Sequence, residues 1–333
     1  MLTSQLFSVW LGVRETPWIL LGVVMDILFS DPPWRYHPVR LIGHVINAFE
    51  SLSRRFARSP LQLRIAGVML VTAVLLGVSA LVTALLVVAH IFSIWAFRIL
   101  IVLLTYWGVA IRGLAEAAIA IYRPLAQGHW EEARLYLSMI VGRETEKLDP
   151  AEIIRGTIES VAENTCDSIV APLFFTFLAG PAGLWLYKAA NTMDSMIGYN
   201  NPQYHDLGWA AAKVDDILNW IPARISGVAI AVAAILDGRF HQSYEMMRKD
   251  GRRHPSPNSG ISEAAMAGAL DVQLGGFNTY HGVVSLRPKI GQSNGPMTVP
   301  MIIHAVSIVM RVALLVSLTF AFLAVALTGR WLP

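Results

Sequence analysis

Long uncharged runs alternate with polar stretches along the chain. The run IAGVMLVTAVLLGVSALVTALLVV at 65–88 is 24 residues without a charge. A break at Ala89-His90 follows, then IFSIWAFRILIVLLTYWGVA at 91–110. About 20 apolar residues cross a hydrocarbon core, so these two runs predict a helical hairpin. Arg98 inside the second run has to snorkel or face protein. The stretch 301–327 predicts another span, interrupted only by His304 and Arg311 near its start. PWILLGVVMDILF at 17–29 is a weaker span, because it carries Asp26 and needs residues before Pro17 to reach full length. Two segments are ambiguous. Residues 169–187 have nearly the right length but contain AGPAG, where Pro removes a helix hydrogen bond and Gly loosens the backbone. Residues 225–236 are too short for a straight span. Both read as re-entrant or as buried by neighbouring helices, the settings in which irregular backbone is tolerated at membrane depth.

Composition agrees with this pattern. The 333 residues are 55% hydrophobic and 15% charged, against about 25% charged in a soluble domain. The mean hydropathy is +0.52. The expected fold is all-α, a single integral membrane domain over 1–333, polytopic, with helical cytoplasmic loops and re-entrant segments. Loop 30–64 carries six Lys/Arg, loop 112–167 six and loop 237–300 seven. The positive-inside rule puts these three loops in the cytoplasm. The net charge of +3 fits loops facing an anionic leaflet or phosphorylated ligands. No nucleic-acid partner is expected, since the basic residues do not line one groove. A lone cysteine, Cys166, excludes an internal disulfide. No cleavable signal peptide is expected, because no A-x-A site follows an apolar core.

One polar pattern occurs twice: NTCDS at 164–168 and NTMDS at 191–195. Residues 149–165 predict a helix that leads into the first copy, with Asp149 as N-cap, Pro150 in the first turn and Glu152 three residues after the cap. Arg155 and Glu159 read as a solvated ion-pair row. Glu163 differs, because Asn164 and Asp167 follow it immediately. Asn191 and Asp194 repeat the i, i+3 spacing of Asn164 and Asp167. Carboxylates with an amide suit a hard cation such as Mg²⁺, which keeps waters and bridges phosphates. The plain alternative is a helix cap with turn residues. Beyond the second copy, Lys213 and Asp216 share one helix face and Asp215 and Asn219 another, either as a functional group or as a structural pair. Pro222 is expected to end that helix, with Arg224 placed to meet an anion.

Loop 237–300 carries Arg248, Lys249, Arg252, Arg253 and His254 ahead of a Pro-, Ser- and Gly-rich turn. A helix of small residues is expected from near Ser262. Ser256, Asn258, Ser259 and Gly260 are candidates for a phosphate cradle at its N-terminus, although no Walker loop is present. A capped loop facing anionic lipid would look the same. LGGFNTYHG at 274–282 follows, where Asn278 and Tyr280 either line a pocket or close the loop. In DPPWRYHPVRLIGH at 31–44 the polar members are Asp31, His37 and Arg40. His37 and His44 lack a third ligand, so no zinc site is assigned.

Taken together, DPPWRYHPVRLIG, ESVAENTCDSIVAPLFF, NTMDSMIGY, AAAKVDDILNWIPARI and HPSPNSGISEAAMAGALDVQLGG resemble the membrane-bound adenosylcobinamide-phosphate synthase family of cobalamin biosynthesis, the CbiB/CobD type. The resemblance runs from about residue 18 to residue 310. It implies ATP-dependent amide-bond formation between the corrinoid adenosylcobyric acid and (R)-1-amino-2-propanol phosphate or a related amino-alcohol phosphate. It also implies Mg²⁺, a bacterial inner-membrane location with the active site facing the cytoplasm, and other cobalamin-assembly enzymes as partners beside the lipid bilayer. Such chemistry needs acids to hold Mg²⁺, cations to neutralise phosphate oxygens and a base for the incoming ammonium.

On that basis Glu163, Asp167, Asp194 and Asp215 are the metal candidates. The catalytic set is Glu163, Asn164, Asp167, Asn191, Asp194, Lys213, Asp215, Asp216 and Asn219. Phosphate falls to Lys188, Lys213, Arg224, Arg252, Arg253, His254 and the 256–260 turn. Substrate contacts fall to Asp31, His37, Arg40, Asn278 and Tyr280. Segment 169–187 is expected to bend back and set both Asn–Asp pairs against one cleft. The competing classes are a transporter, since repeated motifs beside broken apolar segments build many carrier sites, and a non-catalytic membrane regulatory protein.

Overall fold

The computed structural model describes residues 15–30, 34–280, 282–292 and 294–328. Backbone proximity divides the chain into two compact units. The first is formed by the described residues of 1–110, 171–218 and 317–333, the second by those of 111–170 and 219–316. Among the described residues, five helical stretches are long and apolar enough to cross a bilayer: 60–92, 94–126, 150–197, 220–237 and 300–327. The chain is an all-α polytopic membrane protein.

In the first unit, α1 (Thr16–Phe29), α2 (Pro38–Phe56), α3 (Pro60–Phe92) and α4 (Ile94–Gly108) follow in order. His37 starts α2, its Nδ1 accepting the Val39 N–H at 3.3 Å, with Pro38 in the first turn. Ser93 separates α3 from α4 and caps α4 by accepting from the Trp95 N–H. α1 and α4 cross closely at Gly22, where a Cβ would stand 2.7 Å from both Thr105 Cβ and Val102 O.

The 27-residue α8 (Ala171–Ile197) is not straight. Ala179 leaves helical geometry, and Gly180 has φ 62° and ψ −157°, a conformation open in practice only to glycine. Pro181 then sits in the first turn of the second arm. Phe175 and Tyr187 stack with centroids 5.2 Å apart and planes 10° apart. Twelve residues of straight helix would separate them by about 18 Å, so the two arms fold back on each other. The second arm is anchored by Trp185, whose indole N–H donates to Leu104 O at 3.0 Å. α9 (Trp209–Leu218) completes the unit with the end of α13 (Pro300–Thr328).

The second unit contains α5 (Ile111–Ala126), α6 (Trp130–Ser138), α7 (Pro150–Thr165), α10 (Trp220–Ala233), α11 (Phe240–Asp250), α12 (Ser259–Leu270) and the first part of α13. Asp149 and Glu152 form a reciprocal capping box at the start of α7, as the sequence predicts. A π-helical turn, Cys166–Val170, follows α7 and carries Asp167. α12 is buried along its whole length. Its small residues allow this: at Gly268 a Cβ would stand 2.7 Å from Ser243 Cα of α11. Ser243 donates to Ala265 O at 2.7 Å and Ser262 to Ser226 at 3.0 Å, so the polar groups at this contact are satisfied.

Several local expectations are corrected. Pro222 does not end a helix. The chain turns at Asn219, and Pro222 lies in the first turn of α10, where its missing N–H costs nothing. Helix α10 and its 3-10 extension run from Trp220 to Asp237, 18 residues against the 12 of the apolar run. α12 begins at Ser259, not near Ser262. The segment after α12 is an antiparallel hairpin, β1 (Leu274–Tyr280) and β2 (Val283–Ile290), pairing Gly276 with Arg287 and Asn278 with Ser285. The Arg155–Glu159 row is buried, not solvated.

Candidate functional site

The polar centre of the second unit is built from α7, α12, the 251–258 turn and the β-hairpin. Glu159 of α7 is its middle. Its Oε2 meets Arg143 Nη1 at 2.8 Å, and its Oε1 accepts the Gly275 N–H at 2.8 Å. Arg155, one turn earlier on α7, bonds Gly275 O and donates to Phe277 O at 2.9 Å and Asn278 Oδ1 at 3.3 Å. Arg143 also bonds Asn278 Oδ1. Glu159, Arg143, Arg155 and Asn278 are all buried. They pin the β-hairpin to α7, which explains why a two-stranded ribbon, marginal alone, holds its shape.

A second layer begins one turn further along α7. Glu163 Oε1 accepts the Ser259 hydroxyl at 2.8 Å. Ser256 Oγ accepts the N–H groups of Asn258 and Ser259, each at 3.3 Å, and its own N–H donates to His254 Nδ1 at 3.0 Å. The turn at 256–260 is therefore a serine-capped helix start, with Ser256 occupying two of the N–H groups a phosphate would use. His254 Nε2 lies 3.7 Å from Glu263 Oε1 and 3.3 Å from Arg287 Nη1, and Arg287 donates to Tyr280 Oη at 3.0 Å.

The centre holds three acids, Glu159, Glu163 and Glu263, against Arg143, Arg155 and Arg287. Glu263 is only 1% exposed. Burial, then the charges of Glu159 and Glu163, push its pKa well above the ordinary carboxylate value. Burial, then Arg287, push His254 down. Burial alone would lower Arg287, but Tyr280, Glu263 and Glu163 raise it. The arrangement favours a neutral imidazole and a proton-holding carboxyl side by side.

Other sequence candidates stand around this centre. Asn164 donates to Ser160 O at 2.9 Å and accepts from Ser168 at 3.3 Å, so its amide serves its own helix. Asp167 is half-buried on the π-turn. Asn219 is buried and accepts from Cys166 Sγ at 3.7 Å. Arg224 bonds Trp220 O at 2.6 Å and Asn258 Oδ1 at 3.1 Å and stacks over the Trp220 ring. Arg252 and Arg253 are exposed, Arg253 pairing with Asp250 at 3.2 Å. Gly260 packs against Gly251 O and the His254 side chain.

The first unit carries its own polar group. Asn191 donates to Asp215 Oδ1 at 3.4 Å, joining the second motif copy to α9. Asp194 follows on the same arm, its carbonyl accepting the Gly198 N–H at 2.7 Å. Lys188 is half-buried one turn before Asn191. Lys213 and Asp216 pair at 3.6 Å, with the lysine exposed and the aspartate half-buried. His37 serves as the α2 cap and Arg40 is exposed. Asp31 lies outside the described residues.

Among the described residues no three His, Cys, Asp or Glu side chains gather as a metal-binding group. Of the metal candidates, Glu163 and Asp167 are the pair nearest in sequence, and both are half-buried. That donor set fits a hard cation that shares its sphere with waters and phosphates, not a protein-only cage. Sequence reading missed Arg143, Glu263 and Arg287. A lone carboxylate inside SEAAMAGAL was the available signal for Glu263; nothing local marks the two arginines.

The model of the family described as CobD/Cbib protein matches residues 19–309. The chain is 44% identical over 298 residues to the cobalamin biosynthesis protein CobD of Halalkalibacterium halodurans, covering 89% of this chain and 92% of that protein. It is 41% identical over 280 residues to the protein of the same name from Geobacter metallireducens, covering 84% and 87%. It is 36% identical over 317 residues to the one from Leptospira interrogans, covering 94% and 98%. No solved structure matches. With the match spanning nearly the whole chain, this protein belongs to the CobD/Cbib protein family.

Proposed function

We propose that the chain is an adenosylcobinamide-phosphate synthase of cobalamin biosynthesis. It joins a carboxylate of adenosylcobyric acid to the amine of (R)-1-amino-2-propanol phosphate or a close relative, with ATP as driver. The observation that carries this reading is the family match over residues 19–309, together with relatives named for cobalamin biosynthesis.

The chemistry asks for three things, and the second unit offers residues for each. A carboxylate is a poor electrophile, so its oxygen has to be converted to a leaving group, most simply by phosphorylation. Glu163 and Asp167 would hold Mg²⁺, which when bound neutralises phosphate oxygens. Arg224 and Arg252 are the cations for phosphate, with Ser259 orienting Glu163 from the α12 start. An amine attacks only as the free base, so a group has to accept its proton. His254, kept neutral by burial, is the candidate base in the second unit, with Glu263 Oε1 3.7 Å from its Nε2. In the first unit, Asp194 and Asp215 remain catalytic and metal candidates and Lys188 a phosphate candidate.

The three Arg-rich loops, 30–64, 112–167 and 237–300, face the cytoplasm of a bacterial inner membrane in this reading. The test is direct. Purified protein in lipid nanodiscs is incubated with adenosylcobyric acid, aminopropanol phosphate and Mg-ATP, and the corrinoid is weighed by mass spectrometry. A product heavier by one amidated aminopropanol phosphate is expected. An unchanged corrinoid mass, with substrates verified by a homologous enzyme, overturns the assignment.

A further inference from the structure

Three adjacent stripes of different character run along helix α2 of the first unit, Pro38–Phe56. Ile42, Ile46 and Ser53 are buried, with Phe49 half-buried between them, and form the face packed on the protein. One residue earlier in phase, Leu41, Val45, Ala48, Leu52 and Phe56 form a continuous stripe, and every one of them is exposed, Phe56 at 68%. One residue earlier again, Arg40, His44, Asn47, Ser51 and Arg55 form an exposed polar stripe. At about 100° per residue these stripes lie side by side around the helix. An apolar band that faces outward between a packed face and a charged face is what a helix shows when it lies along a bilayer surface.

The surroundings of α2 identify what covers the band. α2 connects α1 to the long apolar α3. The C-terminal ends of α1 and α4 are at one level, because Tyr106 Oη donates to Ser30 O at 2.5 Å. Just ahead of α2, Trp34 packs against Trp107 of α4 with centroids 5.9 Å apart, and Trp34 also meets Tyr36 edge-on. A cluster of Trp and Tyr at the ends of apolar helices marks the headgroup level of a bilayer. Arg54 and Arg64 reach away from the band to Gln203 O and Asp206, each at 2.8 Å, and so hold the 199–208 loop that follows the second motif copy.

We infer that α2 is an in-plane membrane helix whose Leu41–Phe56 stripe is seated in the lipid acyl boundary. Its polar stripe meets the headgroups. Through Arg54 the helix fixes the loop beyond Asp194 at a set height above the bilayer. This inference does not depend on the synthase reading.

The test uses the full chain in nanodiscs of mixed phosphatidylcholine and phosphatidylglycerol, in a Cys166→Ala background. Val45→Cys, Leu52→Cys and Phe56→Cys report the apolar stripe, and Asn47→Cys and Ser51→Cys the polar one, each carrying a nitroxide label. Three apolar positions keep the test alive if one variant fails to fold. The oxygen-to-nickel-chelate accessibility ratio is expected to be several-fold higher at 45, 52 and 56 than at 47 and 51. Equal chelate access at both stripes overturns the inference. So does dipolar broadening at the apolar positions that disappears on dilution with unlabelled protein, since the stripe would then face a second copy.

Discussion

Arg143 and Glu159 meet at 2.8 Å with both side chains almost wholly buried. The pair joins the segment after α6 to α7, and the same arginine reaches Asn278 on the β-hairpin. A buried charge stripped of its partner costs about 3–5 kcal/mol. Arg143→Ala is therefore expected to lower the thermal unfolding temperature markedly and to expose the hairpin to proteolysis near 281–284. Arg143→Lys, which keeps a cation beside Glu159, should lose less than Arg143→Ala. Thermal scans in nanodiscs and limited proteolysis check both.

Glu263 carries a pH signature. Its folded pKa is raised well above 4.5 by burial and by Glu159 and Glu163, so between 4.5 and that raised value the folded state binds more protons than the unfolded one. Stability from this group is present at low pH and is lost as pH rises through the window. Glu263→Gln removes that slope, so its stability relative to wild type should improve as pH rises above about 4.5 and level off once the raised value is passed. His254 has the opposite sign. Its folded pKa is depressed, so its protonation opposes folding, and His254→Gln should flatten the loss of stability seen as pH falls below about 6.5. Chemical denaturation across pH measures both.

Glu163→Gln is expected to lower turnover about 100-fold or more, the ordinary cost of losing an acid, base or metal-holding group. Ser259→Ala should cost less, since it frees Glu163 without removing it. Synthase assays on membranes with matched protein levels distinguish the two. A Glu163→Gln enzyme with wild-type turnover would remove that residue from the site.

The reversal in α8 rests on Gly180. Gly180→Ala places a Cβ at φ 62° and ψ −157° and should destabilise by about 1–3 kcal/mol. Leu178→Ala, an exposed position nearby, should be close to neutral. Comparing their thermal unfolding isolates the backbone term from loss of packing.

Local signals in the sequence carried far. The Asp149–Glu152 box, the AGPAG interruption and the long apolar runs each depend on neighbours within a few residues, so a linear reading finds them. The Arg155–Glu159 spacing is also local, but its meaning is not. An i, i+4 pair looks the same on a wet surface and in a core, and only the hairpin carbonyls more than 100 residues away decide which it is. Arg287 escaped notice for the same reason: strand register sets its partner Tyr280, and its other partner His254 comes from a turn 33 residues earlier. Asn219 broke a helix that Pro222 was expected to end, because proline is as acceptable at a helix start as it is unwelcome in the middle.

α12 has a consequence of its own. Ala264, Ala265, Ala267 and Ala269 are buried on every side, so the helix acts as a spacer of fixed thickness between its neighbours. Glu263 rides on this spacer. Added volume at any of these alanines has to shift the helix, and the carboxyl beside His254 shifts with it. Substitutions that touch no polar atom are thereby coupled to the proton chemistry, and the methyl groups of α12 are what fix where the acid stands.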